Sequence, residues 1–469
     1  MPLPADRRAS ATGPLFGAKL AAARAVGIAS RASGRGGGTT LPGRLLLKWE
    51  PGALGRLGAR LDRGTTIVSA TNGKTTTAGM IAAILEADGR RPVHNRAGSN
   101  MTWGVATALL EQDGHEGLFE VDEAWLPEVA SALDPSLVVL GNLFRDQLDR
   151  YGEMETLAAG WAKAVEARAG RARFALNADD PTIADLGRDA DGEPRDGVLY
   201  FGVEDSSQAL PELQHAFDAK HCRRCGHSYT YERAFVGHLG HYSCSNCGAR
   251  RPQPDVAATA IELLGMEGSR AEVRTPQGAL RLELPLPGLY NVYNALAAIA
   301  ASLQLGVAPE RIASALASMR AAFGRVETID AAGVPLSILL IKNPAGANEV
   351  LRTLRLEASE EGLDLWIALN DRTADGRDVS WVWDADFELL RGAVRRVVCA
   401  GTRAAEMAVR LKYAGWRVEA IDVEPDIERS LDRALDKAHG PLFALPTYTA
   451  LLELRKLLSR RGLAEEFWK

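Results

Sequence analysis

Residues 67–85 read IVSATNGKTTTAGMIAAIL, and their order decides the fold class. The β-branched run TTIVS at 65–69 predicts a buried strand, and residues 75–87 predict the helix that follows it. Between them lies a tight turn holding Thr71, Asn72 and Gly73, followed by Lys74, Thr75 and Thr76. Backbone N–H groups of such a turn point inward, and the helix N-terminus adds partial positive charge, so the turn is built to cradle phosphate. Lys74 is placed to reach terminal phosphate oxygens, and the Thr75 hydroxyl to ligate Mg²⁺, which makes ATP the expected ligand. The usual phosphate-loop pattern has Gly five positions before Gly73, where this chain has Val68. The strand–turn–helix context outweighs that departure, and the alternative is a helix cap that happens to contain Gly-Lys-Thr.

Outward from this loop, residues 137–140 and 173–176 predict further strands and residues 156–169 a helix. Alternating strands and helices imply an α/β domain with a parallel sheet covered on both faces. Helices are expected again at 291–305 and 309–322. A second α/β segment begins near 329, with strands at 337–341, 365–368 and 397–400 and a helix at 403–413. The expected division is a short basic N-terminal segment (1–60), an ATPase domain (61–328) with an insert at 218–252, and a second Rossmann-like α/β domain (329–469). GRGGG at 34–38 is expected to be a flexible junction.

The chain has 469 residues, 46% of them hydrophobic and 25% charged, with a net charge of −5. That length suits two or three soluble domains, and that charge argues against nucleic acid as a partner. No apolar run is long enough to cross a bilayer and no secretory signal is visible, so a cytoplasmic location is the default. The first 49 residues hold one acid, Asp6, against eight Lys and Arg. Three readings compete there: a solvated basic tail, an organelle transit peptide, or a weak contact to anionic lipid or substrate with residues 15–28 as an interfacial helix.

A bound nucleotide needs a metal, and the metal needs oxygen ligands. EVDE at 120–123 ends a predicted strand, with Glu120 as the first candidate. NLFRDQLDRY at 142–151, with Asn142 and Asp146, and NADDP at 177–181, with Asn177 and Asp180, each follow a strand. Segments after strand C-termini line the ligand crevice of a parallel sheet. Each could singly be an ordinary turn or cap; their shared placement argues for a common site.

Cys222, Cys225, Cys244 and Cys247 form C-x2-C-x18-C-x2-C. Four thiolates give a closed tetrahedral Zn²⁺ site with no position left for substrate, so the metal's expected role is structural. It would supply folding energy that the apolar-poor insert lacks. His221, His227, His238 and His241 are expected at the surface, and Cys399 in the core. A contact between the ribbon and nucleic acid or a partner stays open. In the second segment, NDRTADGRDVSWVWD at 370–384 puts Asp371, Asp375 and Asp378 on one loop, able to orient an imidazole or bind an amine, or merely to make Asx turns.

TNGKTTT, EVDE, NLFRDQLDRY, NADDP and PGLYNVYNALAA (287–298), in that order, resemble the ATPase domain of the Mur ligase superfamily, which joins amino acids to carboxylates through an acyl-phosphate. The resemblance implies that Lys74 and Thr75 hold phosphates and magnesium, and that Glu120 ligates magnesium. It places Asn177 and Asp180 near the adenine, Asn291 and Asn294 beside the nucleotide, and Arg325 near its sugar or phosphates. The chain departs from the superfamily at Ala70, where Gly is usual, and at Gln147, where a His helps hold a second metal. Lys163 stands near the place of a carbamylated lysine, and the large N-terminal substrate domain has no counterpart. KNPAGANEVL (342–351), the 370–384 block, GTRAAEMAVRLKYAG (401–415) and PTYTALLELRKLL (446–458) are similar to the MurT family. That resemblance implies pairing with a GatD-like glutamine amidotransferase, whose Cys–His pair one of Asp371, Asp375 and Asp378 would complete. The implied reaction is amidation of the D-glutamate α-carboxylate of lipid II at the membrane surface. The alternatives are a ligase that adds a whole amino acid, as folylpolyglutamate synthases do, and a nucleotide-gated zinc-ribbon binding module.

Overall fold

The computed structural model describes residues 13–32, 40–95, 99–146, 154–189, 191–215, 217–319 and 326–464, without the side chains of 326 and 327. Gln147, Arg325 and the 34–38 junction lie outside them.

Three helices come first: α1 (Pro14–Ala32), α2 (Leu41–Trp49) and α3 (Ala53–Gly58). Strands β1 (Thr65–Ser69), β2 (Val93–His94), β3 (Gly117–Glu120), β4 (Leu137–Leu140), β5 (Arg173–Asn177) and β6 (Val198–Val203) then alternate with α4 (Lys74–Ala87), α5 (Thr102–Glu111), α6 (Leu126–Leu133), α7 (Met154–Glu166) and α8 (Pro181–Leu186). A hairpin, β7 (Thr230–Val236) and β8 (Leu239–Ser243), precedes the antiparallel β9 (Val256–Leu263), β10 (Ser269–Thr275) and β11 (Gly278–Leu284) and helices α9 (Leu289–Gln304) and α10 (Pro309–Ala317). The large sheet has the order β11-β10-β9-β6-β5-β4-β1-β3-β2 and is parallel from β9 to β2. Every residue of β1 and β4 is buried, which is why both are nearly pure apolar and β-branched runs.

The second sheet, β12-β13-β17-β14-β15-β16, comprises β12 (Val326–Ala331), β13 (Val334–Leu339), β14 (Leu363–Ala368), β15 (Val394–Ala400), β16 (Ile421–Val423) and β17 (Leu442–Pro446). It is parallel apart from the β12–β13 hairpin. Helices α11 (Pro344–Glu357), α12 (Ala404–Tyr413), α13 (Ile427–Leu435) and α14 (Tyr448–Arg460) cover it. Cys399 is buried there, and burial pushes its thiol up to about 12.

Two readings of the sequence are sharpened by the fold. The stretch 15–28 is not a free interfacial helix: α1 buries Phe16 and Ala23, while Lys19 pairs with Glu50, Arg24 with the Leu110 carbonyl and Arg31 with Glu111. The 218–252 insert, expected to be too poor in apolar residues for a core of its own, shares the main one. Phe235, Val236 and Leu239 at its hairpin tip pack into the core of the large sheet, and Tyr229, Tyr231 and Tyr242 form an aromatic layer at its base.

Candidate active site

At the end of β1 the chain turns through Gly73, whose φ of +87° suits glycine. A Cβ there would sit 1.9 Å from Asn294 Oδ1, so the turn and α9 fit only around a hydrogen. The loop is held from outside: the Asn72 amide donates to Asn142 Oδ1 (2.9 Å), Asn142 Nδ2 donates to the Asn72 carbonyl (3.0 Å), and the Phe144 amide donates to Thr71 Oγ1 (3.0 Å). Asn142 therefore braces the loop. Because the first turn of α4 has no intrahelical acceptors for its N–H groups, the site is suited to the phosphates of ATP.

Lys74 is 5% exposed and folds back, donating to the Ala70 carbonyl (2.5 Å) and Glu123 Oε2 (2.8 Å). Burial alone would raise the Glu123 carboxyl, but Lys74 and Lys342 overcome it and hold the group below the usual range. Asp122 shifts upward through burial and the neighbouring Glu123 charge. Asp146 also shifts upward through burial, offset in part by Lys342 Nζ at 2.5 Å. Sequence reading singled out Glu120; the carboxylate that faces Lys74 is Glu123. Glu120 accepts instead from Asn100 Nδ2 (3.3 Å), and its amide donates to Asn95 Oδ1 (3.0 Å). The donor set of Thr75, Glu120, Asp122, Glu123 and Asp146 is all oxygen, as a hard divalent cation requires. Asp146 Oδ1 is buried with no hydrogen-bond partner among the described residues, so it has capacity for such a ligand. Magnesium here would take much of its shell from phosphate and water, since among the described residues these carboxylates do not converge as a cage.

A pocket behind the loop is lined by Ser69, Asn72, Asn142, Asn177, Tyr293 and Asn294. Asn294 Nδ2 donates to Asn291 Oδ1 (3.1 Å) and Thr77 Oγ1 to Asn294 Oδ1 (3.3 Å); Asn291 Nδ2 is spent on the Pro287 carbonyl (2.8 Å). Asp180, expected beside the adenine, is engaged as a structural anchor. Its Oδ1 caps α8 through the Thr182 and Ile183 amides, and its Oδ2 meets the Leu143 amide (2.9 Å) and His238 Nε2 (3.2 Å). Four contacts use all the lone-pair positions of a carboxylate. His238 is fully buried, contrary to the surface position expected from sequence.

The four cysteine sulfurs lie within 4.8 Å of one another, with Cys222–Cys247 at 3.6 Å and Cys225–Cys244 at 3.5 Å. Tetrahedral zinc with Zn–S bonds of about 2.3 Å needs sulfurs about 3.8 Å apart, so the set fits that ion. Asn246 and the His227 amide lower the Cys225 thiol, whereas, against the Ala249 amide, burial and the neighbouring sulfurs raise that of Cys247.

On the second sheet, Asn343 and Asn72 exchange a reciprocal pair of amide hydrogen bonds (2.9 and 3.1 Å). Of the three loop aspartates, Asp375 is buried, with both oxygens on Thr449. Asp371, bonded to Thr402 and Arg403, and Asp378, bonded to the Ser380 amide, lie nearer the surface. Sequence reasoning missed the pairings of Asn343 with Asn72 and of Lys342 with Asp146, placed His238 at the surface, and did not single out Tyr293 or Arg251; the KNPAGAN motif was the available signal for the first two.

Residues 68–302 match the Mur ligase middle domain, and residues 340–451 match the MurT ligase C-terminal domain. The chain is 32% identical to the subunit MurT of lipid II isoglutaminyl synthase (glutamine-hydrolyzing) from Streptococcus pneumoniae, over 92% of this chain and 94% of that protein. It is also 32% identical to the same subunit from Staphylococcus aureus, over 92% and 95%. In fold it is similar to a pseudomurein peptide ligase type C from Methanothermus fervidus (TM-score 0.65, 23% identity, 86% of this chain and 80% of that one). It is similar also to the MurF ligase of Thermotoga maritima in complex with ADP (TM-score 0.60, 14% identity, 87% and 84%). With a Mur ligase core, a four-cysteine cluster and a matching C-terminal domain in one chain, this protein is a ligase and belongs to the MurT family.

Proposed function

We propose that this chain uses ATP to activate the α-carboxylate of D-glutamate in the lipid II stem peptide for amidation to D-isoglutamine. Residues 61–328 would be the ATP-using half and residues 329–469 the half that meets a GatD-like glutamine amidotransferase. A carboxylate resists attack by an amine because it is an anion with a poor leaving group. A carboxylate oxygen attacks the γ-phosphorus, ADP leaves, and an acyl-phosphate forms. Ammonia released from glutamine by the partner attacks the carbonyl carbon, phosphate departs, and the excess proton goes to solvent. Lys74, freed from Glu123, neutralises charge developing on the phosphates, and magnesium held by Thr75 and Glu120 would add to that neutralisation. Thr71, Asn72, Gly73 and Thr76 shape the phosphate cradle; Asn177, Asn291 and Asn294 shape the nucleotide pocket. Zinc on the four cysteines is structural. Asp371 and Asp378 are the accessible carboxylates for the partner's Cys–His pair, whereas Asp375 holds the loop.

The observation that carries this reading is the meeting of the two halves: Asn343 and Lys342 from the second sheet bond to Asn72 and Asp146 beside the phosphate loop. In this proposal, activation and partner contact would be joined across that junction. Among the described residues no helix is long and apolar enough to cross a membrane. Because the proposed reaction consumes ATP, lipid II would be met from the cytoplasmic side. The test is mass spectrometry of lipid II incubated with ATP, Mg²⁺, glutamine, the full chain and its partner. Conversion of one carboxylate to an amide is expected. No amide in the complete mixture, or product formed by the chain alone with a free amino acid, defeats the reading.

A further inference from the structure

The insert at 218–252 grips the nucleotide side of the molecule at three points. At its start, Asp218 Oδ2 accepts the Arg145 amide (3.0 Å) in the segment that carries Asn142 and Asp146. At its hairpin tip, the fully buried His238 packs against Phe144, ring centroids 4.6 Å apart, and reaches Asp180. Its Nδ1 has no partner among the described residues, so Nε2 is the nitrogen that carries hydrogen to the carboxylate. At its end, Arg251 Nε donates to Asp179 Oδ1 (2.6 Å), and its other nitrogens hold Glu204 (2.7 Å) and the Val203 carbonyl (3.0 Å). The Gly240 amide closes on the Asp179 carbonyl (2.9 Å).

Asp179 and Asp180 form the turn that follows Asn177, and Asn177 Oδ1 accepts the Asp179 amide (2.9 Å). Tyr293, which also lines the pocket, donates to Asp179 Oδ2 (2.6 Å). The shape of this pocket wall is therefore set by side chains that the insert supplies. The Cys244–Cys247 knuckle lies between Gly240 and Arg251, and the Arg251 amide returns to the Tyr242 carbonyl (3.0 Å). A metal on the knuckle would fix the spacing of these two grips.

We infer that the cysteine ribbon is a positioning device for the nucleotide pocket, with His238 and Arg251 as the positioning residues and metal occupancy coupled to nucleotide affinity. This inference rests on the pocket's holding a nucleotide. The test measures Mg-ADP binding to the full, zinc-loaded chain by calorimetry. His238→Leu and Arg251→Met are expected to weaken ADP binding about tenfold, while His238→Gln, which keeps a donor near the Nε2 position, and Arg251→Lys recover most of it. Removing zinc from the wild-type chain should weaken ADP binding to a similar degree, with little further loss in Arg251→Met, because the two act through one contact. By reciprocity, ADP should slow zinc release to a colorimetric chelator. Unchanged ADP affinity after zinc removal, with zinc release indifferent to ADP, overturns the inference even where the leucine and methionine variants fail to fold. A wild-type chain that binds no ADP overturns the nucleotide reading itself.

Discussion

Lys74 shows how a residue legible in sequence acquires energetics only in the fold. The TNGKTTT stretch announces its chemistry, and Lys74→Ala is expected to lower ATP-dependent amidation by on the order of 10²- to 10³-fold. Sequence alone also suggests that the fold survives that change. The structure predicts otherwise, because Lys74 and Glu123 are each 6% exposed at the side chain, and truncating the lysine strands a buried carboxylate. A cost of about 3–5 kcal/mol is expected in chemical denaturation, recovered in large part by Lys74→Ala combined with Glu123→Gln. In the wild type the depressed Glu123 contributes stability above its unfolded pKa that is lost as pH falls through the folded value. Without Lys74, burial is opposed only by the more distant Lys342 and a backbone hydrogen bond, so the stability deficit should grow as pH rises from 5 to 7; a pH-independent deficit would refute the pairing. Asp180 and Asp375 were not separable from their neighbours in sequence. Their saturation depends on Leu143, His238 and Thr449, which only the fold brings near. Asp375→Asn puts an amide donor or a weaker acceptor against Thr449, and should cost about 1–3 kcal/mol in the same assay.

At the scale of elements, the strands whose every residue is buried were readable as continuous apolar runs, and β1 and β4 have the bounds their composition predicts. Strands β9 to β11 escaped, although β10 alternates buried and exposed along its whole length. Their polar faces and the Gly-rich approach hid a period of two that was present in SRAEVRT. The ribbon was legible as a candidate metal site but not as part of the core, because an apolar count over 218–252 does not show that Phe235, Val236 and Leu239 sit together at one tip. That tip changes the expected result of zinc removal. Hydrogen exchange should accelerate in the knuckles at 222–226 and 244–249 and around Arg251, while amides near Phe235 and Leu239 stay protected; uniform exchange across the insert would count against the docked tip. A second element-level contact is His215 Nδ1 at 2.8 Å from Asp386, which raises the imidazole. Its stabilisation is full below about pH 6.5 and is lost as pH rises through the raised folded value. Since His215 is largely exposed, the pair is worth only about 0.2–1 kcal/mol. An NMR titration midpoint above the ordinary imidazole value, returning to it in Asp386→Asn, is the check.

The whole molecule joins two α/β sheets at the phosphate loop, and this junction separates the ways in which the reaction can fail. Damage on the ATP side stops activation from any nitrogen source. On the proposed mechanism, damage on the partner side stops only the delivery of ammonia, because free ammonia would still reach the acyl-phosphate from solution. Asp371 and Asp378 lie on the second sheet's loop, within reach of solvent and outside the Lys74–Glu123 and Lys342–Asp146 pairs. If one of them completes the partner's Cys–His pair, its replacement by Asn should lower glutamine-driven amidation by on the order of 10⁴-fold, the loss seen when the aspartate of such a triad is neutralised. Amidation driven by a high concentration of ammonium chloride should be nearly unchanged in the same variant. Lys342→Met should instead lose both activities together, since it removes the cation beside Asp146. Product from each mixture can be counted by mass spectrometry of the released stem peptide. Equal loss with glutamine and with ammonium in the Asp371 and Asp378 variants would place those carboxylates in activation or folding, and would detach the loop from the partner.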